Sequence, residues 1–293
     1  MTAQPTPMTP VSFEALDIDA LATATGRVAV VLEADGKMDA AGRRINKLTR
    51  GALARLAAGK AFGDLKEGGL TTLAMPAGMA ADAVDVLCLS RRPTVQDARK
   101  AGAALAKVRG TADLLVAAGS TRHAADLGFG LAMRDYGFNA HKSDAKPAEG
   151  AVRIMCAKPD EVQAEALPLM AVAEGAFFTR DLVNEPANVL TTTEFANRLE
   201  AMTDLGLTVE VLDEDQLASL GMGSLLCVGQ GSDSPSKVVV MQWNGGTKGD
   251  APLALIGKGV VFDTGGISLK PGEGMDEMKY DMGGSASVFG AMQ

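Results

Sequence analysis

The sequence predicts an α/β protein in two parts, an N-terminal mixed α/β domain over residues 1–159 and the first half of a doubly wound α/β domain over residues 160–293. Three observations carry this. From Val11 onward, short β-branched runs alternate with helical stretches, the pattern of a mixed or parallel sheet covered by helices. Residues 139–150 (N-A-H-K-S-D-A-K-P-A-E-G) are polar and turn-rich, and Lys158-Pro159-Asp160 then marks a boundary, with Pro159 ahead of a capping Asp160. Residues 253–293 cluster lysines, aspartates and glycines around one strand end and one helix start, where open α/β sheets place their sites.

In chain order, the first ten residues, rich in Pro and Thr, read as a mobile leader. Residues 26–33 (G-R-V-A-V-V-L-E) read as a strand, and 40–58 as a helix with Ile45, Leu48, Leu53 and Leu56 on its apolar stripe. Strands at 70–75 and 84–89, a helix at 94–109, a strand at 113–118, a helix at 124–136 and a strand at 151–156 complete the first part. A long helix at 161–182 joins the two parts and ends at Asn184-Glu185-Pro186. Thr193 then caps a helix with Ala196 and Leu199 on its buried side. A strand at 208–212, a short helix at 213–220, a strand or its approach at 224–230 and a strand at 237–243 follow. The turn Asn244-Gly245-Gly246 leads towards a buried strand at 253–262.

Composition narrows the function. With 47% hydrophobic residues the chain is globular, and 28 basic against 36 acidic residues leave a net charge of −8. That balance argues against a dominant nucleic-acid or anionic-membrane surface and leaves room for a local basic patch. Cys88, Cys156 and Cys227 are far apart and lie in apolar runs, so they read as buried reduced thiols of a cytoplasmic protein. The N-terminal stretch lacks a basic and apolar signal pattern, and nothing approaches the roughly 20 apolar residues of a membrane span. His123 and His141 suit surface or capping roles. The glycine-rich pieces lack the register of a nucleotide fingerprint, and no G-x-S-x-G elbow is present.

The chemistry concentrates near the C-terminal end. Lys258 stands between Gly257 and Gly259 inside a run expected to be buried, which demands a reason. Asp263 precedes Thr264-Gly265-Gly266, Lys270 precedes Pro271, and Asp281 stands ahead of Gly283-Gly284-Ser285. Taken singly, Lys258 suits a lysine reaching solvent from an edge strand, Asp263 an Asx turn and Asp281 a helix cap. None of these explains the set. Carboxylates of this kind suit Mg, Mn or Zn, and two cations can share a bridging carboxylate. A buried lysine beside a dication can lose its proton and serve as a nitrogen ligand, whereas a protonated one polarises a carbonyl.

The segment G-K-G-V-V-F-D-T-G-G-I-S-L-K-P with M-D-E-M-K-Y-D-M-G-G-S-A closely resembles the di-metal leucyl aminopeptidase family, also called cytosol aminopeptidases. R-D-L-V-N-E-P-A-N-V-L-T (180–191) and G-M-G-S-L-L-C-V-G-Q-G-S (221–232) resemble the same family, so the likeness spans roughly residues 171–293. It implies that Lys258 and Asp281 are ligands of the tighter metal site, that Asp263 bridges two divalent ions (Mn or Zn), and that Lys270 polarises the substrate. Met275 and Met278, lying between two of these residues, are candidates for the substrate pocket. The implied activity is release of N-terminal residues, Leu preferred, from peptides, by a homohexamer whose enclosed sites admit short peptides. The family's later N-T-D-A-E-G-R motif, which supplies further metal ligands and an Arg holding a bicarbonate, is absent. Its absence implies a truncated protein, a split gene product or a partial sequence, and the alternative of a catalytically silent fragment or interaction module stays open. DNA binding is a further alternative that the acidic balance disfavours.

Overall fold

The computed structural model describes residues 5–144 and 150–293. Two compact units emerge, Pro7–Ala173 and Glu174–Gln293, the latter also taking in the described residues up to Thr6. Residues 145–149, within the stretch expected to be a surface loop, and residues 1–4 of the expected leader lie outside the described part.

The first unit contains β1 (Val11–Ala15), β2 (Arg27–Leu32), α1 (Ala40–Leu48), α2 (Ala52–Ala57), α3 (Lys60–Gly63), β3 (Leu70–Ala74), β4 (Ala83–Cys88), α4 (Val95–Arg109), β5 (Leu114–Gly119), α5 (Ala124–Arg134) and β6 (Val152–Cys156). Its six strands run in the order β1-β6-β5-β2-β4-β3, parallel except for β3, which pairs antiparallel with β4. Both faces are covered, which is why β5 reads as an unbroken apolar run and β4 is interrupted only by Asp85. Alternate residues serve opposite cores. Val28 and Val30 join Val84 and Val86 beneath Ile45, Leu53 and Phe62 of α1–α3. Ala29 and Val31 join Leu87 and Val116 beneath Leu105 and Leu131 of α4 and α5.

Glycine sets the approach of α4 to α5. A Cβ at Gly102 would stand 1.9 Å from the Leu127 carbonyl oxygen, and one at Gly130 would stand 2.1 Å from that of Arg99. The stretch 40–58, expected as one helix, is broken into α1 and α2 because Arg50 and Gly51 take left-handed φ values of 51° and 81°.

Two buried charges are clamped by ion pairs and hydrogen bonds. Asp85, with no exposed side-chain surface, accepts hydrogen bonds from Arg27 Nη2 at 2.6 Å, Arg27 Nε at 2.8 Å and Thr72 Oγ1 at 2.7 Å. Arg109, also without side-chain exposure, donates to Asp135 at 2.6 Å, to Thr9 Oγ1 at 3.1 Å and to the carbonyls of Ala112 and Gly150 at 2.7 and 3.0 Å. Thr9 in turn donates to Asp135, and Thr6 binds the Asp181 carboxylate through its N–H at 2.8 Å and its hydroxyl at 2.6 Å. The described end of the leader is therefore tied down by hydrogen bonds, correcting the expectation of a mobile segment there.

Helix α6 (Pro159–Asn184) begins at Pro159, and the division between the units falls inside it. Beyond it come α7 (Thr192–Glu200), β7 (Thr208–Leu212), α8 (Glu214–Ser219), α9 (Gly223–Gly229), β8 (Val238–Gln242), a 3-10 stretch over Met275–Met282 and α10 (Gly283–Met292). The core of this second unit gathers Leu182, Phe195, Leu199, Met202, Met282 and Ala286, with Phe195 edge-on to Phe289 at 5.8 Å. Strands β7 and β8 pair antiparallel.

Four local expectations are corrected. Thr191, not Thr193, caps α7, accepting the Glu194 N–H at 3.2 Å. Residues 224–230 fall within or beside helix α9 rather than in a strand, because the Leu225 and Leu226 N–H groups turn back onto the Met222 carbonyl. Residues 253–262 form no strand, since none pairs with them among the described residues, and Leu253 and Ile256 are 86% and 93% exposed. Cys88 and Cys156 are buried, with burial pushing both thiols upward, whereas Cys227 is exposed on α9. No described helix is long and apolar enough to cross a membrane.

Removing Arg27 leaves the Asp85 carboxylate buried and uncompensated. Arg27→Met is expected to cost about 3–5 kcal/mol in urea unfolding, and a loss below about 1 kcal/mol would show that the pair does not carry this strand.

Candidate metal centre

Of the four residues singled out in the sequence, Lys258 and Asp281 are brought together by one close backbone approach. A Cβ on Gly257 would stand 2.4 Å from Ser285 Cα and 2.6 Å from the Gly284 carbonyl oxygen, so glycine alone lets this strand of chain pass the start of α10. The Ser285 N–H then donates to the Lys258 carbonyl at 3.0 Å. This sets Lys258 beside Asp281, with Nζ to Oδ1 at 2.8 Å. The lysine was expected inside a buried strand; its side chain is instead 57% exposed.

Asp263 is organised by its own loop. Its Oδ1 accepts the Gly265 N–H at 2.9 Å, an Asx turn, and Gly265 and Gly266 adopt φ values of 91° and 71° that favour glycine. The Lys270 N–H closes the loop on the Thr264 carbonyl at 2.9 Å. Lys270 Nζ thereby reaches Asp263 Oδ2 at 2.8 Å and Met278 Sδ at 3.0 Å. Met275, one of the two pocket candidates, is half-buried at the head of the 3-10 stretch. Met278 is the methionine that touches a site residue.

The Asp263 carboxyl is held below its ordinary value, first by the hydrogen bond from Lys270 and then by the Gly265 N–H, with a smaller contribution from the neighbouring Asp281 carboxyl. Asp281 Oδ2 is buried and has no hydrogen-bond partner among the described residues. Two carboxylates thus adjoin with one acceptor oxygen unanswered, a donor set that fits a hard divalent cation. Among the described residues no group of three or more His, Cys, Asp and Glu side chains gathers that could hold a metal, so the chain's own contribution is two carboxylates and one amine.

The R-D-L-V-N-E-P stretch supports this centre from behind. Thr179 Oγ1 on α6 donates to the Ala286 carbonyl of α10 at 3.0 Å, and Gly175 and Gly290 let the two helices meet, a Cβ on Gly175 falling 2.1 Å from the Gly290 oxygen. Lys279 Nζ reaches the Asn184 carbonyl at 3.4 Å, and buried Glu185 pairs with Arg198 at 2.9 Å. Lys279 lay outside the candidate set in the sequence, where it reads as a solvated charge; only the fold shows it tying the Asp281 segment to α6.

In fold, the chain is similar to a lysine-to-glutamate variant of tomato leucine aminopeptidase, with a TM-score of 0.79 at 20% identity over 99% of this chain and 60% of that one. It is also similar to the bottromycin maturation enzyme BotP, solved in complex with Mn, with a TM-score of 0.64 at 29% identity over 91% of this chain and 55% of that one.

The chain belongs to the cytosol aminopeptidase family: residues 177–293 match the model of that family's catalytic domain. Proteins named probable cytosol aminopeptidase from Cereibacter sphaeroides and Dinoroseobacter shibae are each 54% identical, over 97% and 98% of this chain. The chain spans 58% and 59% of their lengths.

Because Lys270 holds the Asp263 carboxyl down, its contribution to stability is present above the ordinary aspartate value and is lost as pH falls through the lowered one. Carbon-13 NMR is expected to place the Asp263 titration below 3.8, and Lys270→Met to raise it. An Asp263 titration that Lys270→Met leaves in place would contradict the pairing.

Proposed function

We propose that this chain is part of a metal-dependent leucyl aminopeptidase, with residues 160–293 a partial catalytic domain, that releases N-terminal residues, Leu preferred, from peptides in the cytoplasm. The observation that carries this reading is the interlocked set of Lys258 with Asp281 and Lys270 with Asp263, lying inside the segment that matches the family. Lys258, Asp263 and Asp281 would hold two divalent ions, Mn or Zn. Bound there, such ions supply Lewis-acid polarisation and lower the pKa of water.

The chain's own residues supply the rest. Protonated Lys270 donates hydrogen bonds to the scissile carbonyl oxygen and steadies the negative charge that grows on it. Its ammonium is oriented by Asp263 on one side and Met278 on the other. The Asx turn keeps the Asp263 carboxylate aimed while Lys270 engages substrate. Met275 borders the substrate's apolar side chain. In the complete enzyme we assign the general base to a bicarbonate, and the assembly to a homohexamer that limits access to short peptides.

A second reading, a catalytically silent interaction module, is favoured for the chain alone by the two-carboxylate donor set. Hydrolysis of a leucine anilide with Mn or Zn, compared between this chain and one extended by the remaining downstream part of a relative, separates the two. The aminopeptidase reading expects turnover in the extended protein, lost by at least about a hundredfold with Lys270→Ala. No turnover in either protein would leave the module reading in its place.

A further inference from the structure

The Lys270 ammonium carries three N–H groups, and two are committed, one to Asp263 Oδ2 at 2.8 Å and one to Met278 Sδ at 3.0 Å. The third has no partner among the described residues. A thioether is a weak acceptor, so the sulfur orients the ammonium without holding it tightly. Local structure fixes both partners. Met278 stands in the 3-10 stretch Met275–Met282, and the Lys270 N–H closes its loop on Thr264. Met278 is half-buried and takes no part in the core of its unit, which leaves its sulfur within reach of a small oxidant.

We propose that Met278 is a modification site for peroxides, and that its sulfoxide withdraws Lys270 from the substrate. In the reaction a sulfur lone pair attacks one oxygen of hydrogen peroxide and the O–O bond breaks. The departing hydroxide takes the proton from the oxygen now on sulfur. Thioether and peroxide become sulfoxide and water, with the sulfur oxidised by two electrons and the peroxide reduced. The third Lys270 N–H assists by hydrogen bonding to the departing oxygen as negative charge grows on it. The product is then held in place, because a sulfoxide oxygen beside an ammonium accepts a charge-assisted bond stronger than the thioether's. That bond takes up the third N–H, and none is left for a scissile carbonyl. Methionine sulfoxide reductases restore the thioether, so the change is reversible. The loss of turnover rests on the aminopeptidase reading; the chemistry at sulfur does not.

Two other methionines separate the factors at work. Met75 is 80% exposed, and its sulfur has no hydrogen-bond donor among the described residues. Met155 accepts the Asp17 N–H at 3.4 Å but is fully buried. Of the three, Met278 combines access with a cationic donor.

The test treats this chain with limiting hydrogen peroxide and follows sulfoxide at each methionine by peptide mass spectrometry. Met278 is expected to oxidise about tenfold faster than Met75, with Met155 slowest. Lys270→Leu, checked for native circular dichroism, should bring Met278 down to the rate of Met75 or below. In the chain extended by the remaining downstream part of a relative, hydrolysis of the leucine anilide should fall in step with Met278 sulfoxide. It should return on treatment with methionine sulfoxide reductase. A wild-type chain in which Met278 oxidises no faster than Met75 overturns the proposal. So does a rate that Lys270→Leu leaves unchanged, or full turnover with Met278 oxidised. An extended protein with no turnover before peroxide sinks the aminopeptidase reading and the withdrawal of Lys270 with it, while the sulfoxide rates decide the site itself.

Discussion

The candidate site depends on how closely the backbone at Gly257 passes the first turn of α10. With a separation that leaves no room for a Cβ, the Ser285 N–H reaches the Lys258 carbonyl, and Lys258 and Asp281 meet as a consequence. Helix α10 is itself placed by α6, through the Gly175–Gly290 approach and the Thr179 bond to Ala286. The dependence therefore runs from helix packing to backbone spacing to side-chain pairing. Glycines at 175, 257 and 290 act on the chemistry although none has a side chain to offer.

Charge is organised at two scales in this chain. Inside, Asp85 and Arg109 are each ion-paired and hydrogen-bonded several times over, which offsets the cost of burying an ionic group. Outside, a net charge of −8 conceals a cationic segment at residues 37–66 and a purely acidic one at 200–236. The site lies between these extremes, with each candidate carboxylate answered by one lysine and Asp281 Oδ2 left without a partner. An unanswered buried acceptor beside a second carboxylate is a place for positive charge, and that links the packing to the proposed chemistry.

Much of this was legible in the residues. The strands of the first unit could be read because both faces of a parallel sheet are buried, which writes an unbroken apolar run into β5 and one broken only by Asp85 into β4. Lys258, Asp263, Lys270 and Asp281 stood out because lysines and aspartates among glycines have no packing purpose, and the fold pairs them. Residues 253–262 misled because an apolar run shows affinity for burial, while a strand also needs a neighbour to bond with. The run L-L-C-V at 225–228 is compatible with either period over so short a length, and local N–H bonds to Met222 decided for helix. Thr9 was hidden for another reason: its partners Arg109 and Asp135 are distant in sequence, so no local pattern could reveal the anchor.

The central claim is that Lys258, Asp263, Lys270 and Asp281 form one cation-holding centre. Titration of the chain with Mn, followed by paramagnetic broadening of its amide NMR signals, tests it directly and detects even weak binding. The account predicts that broadening begins at Gly265, Lys270 and Gly283, and that Asp263→Asn with Asp281→Asn abolishes it without altering the remaining spectrum. Broadening that starts elsewhere, or that survives the double substitution, would contradict it.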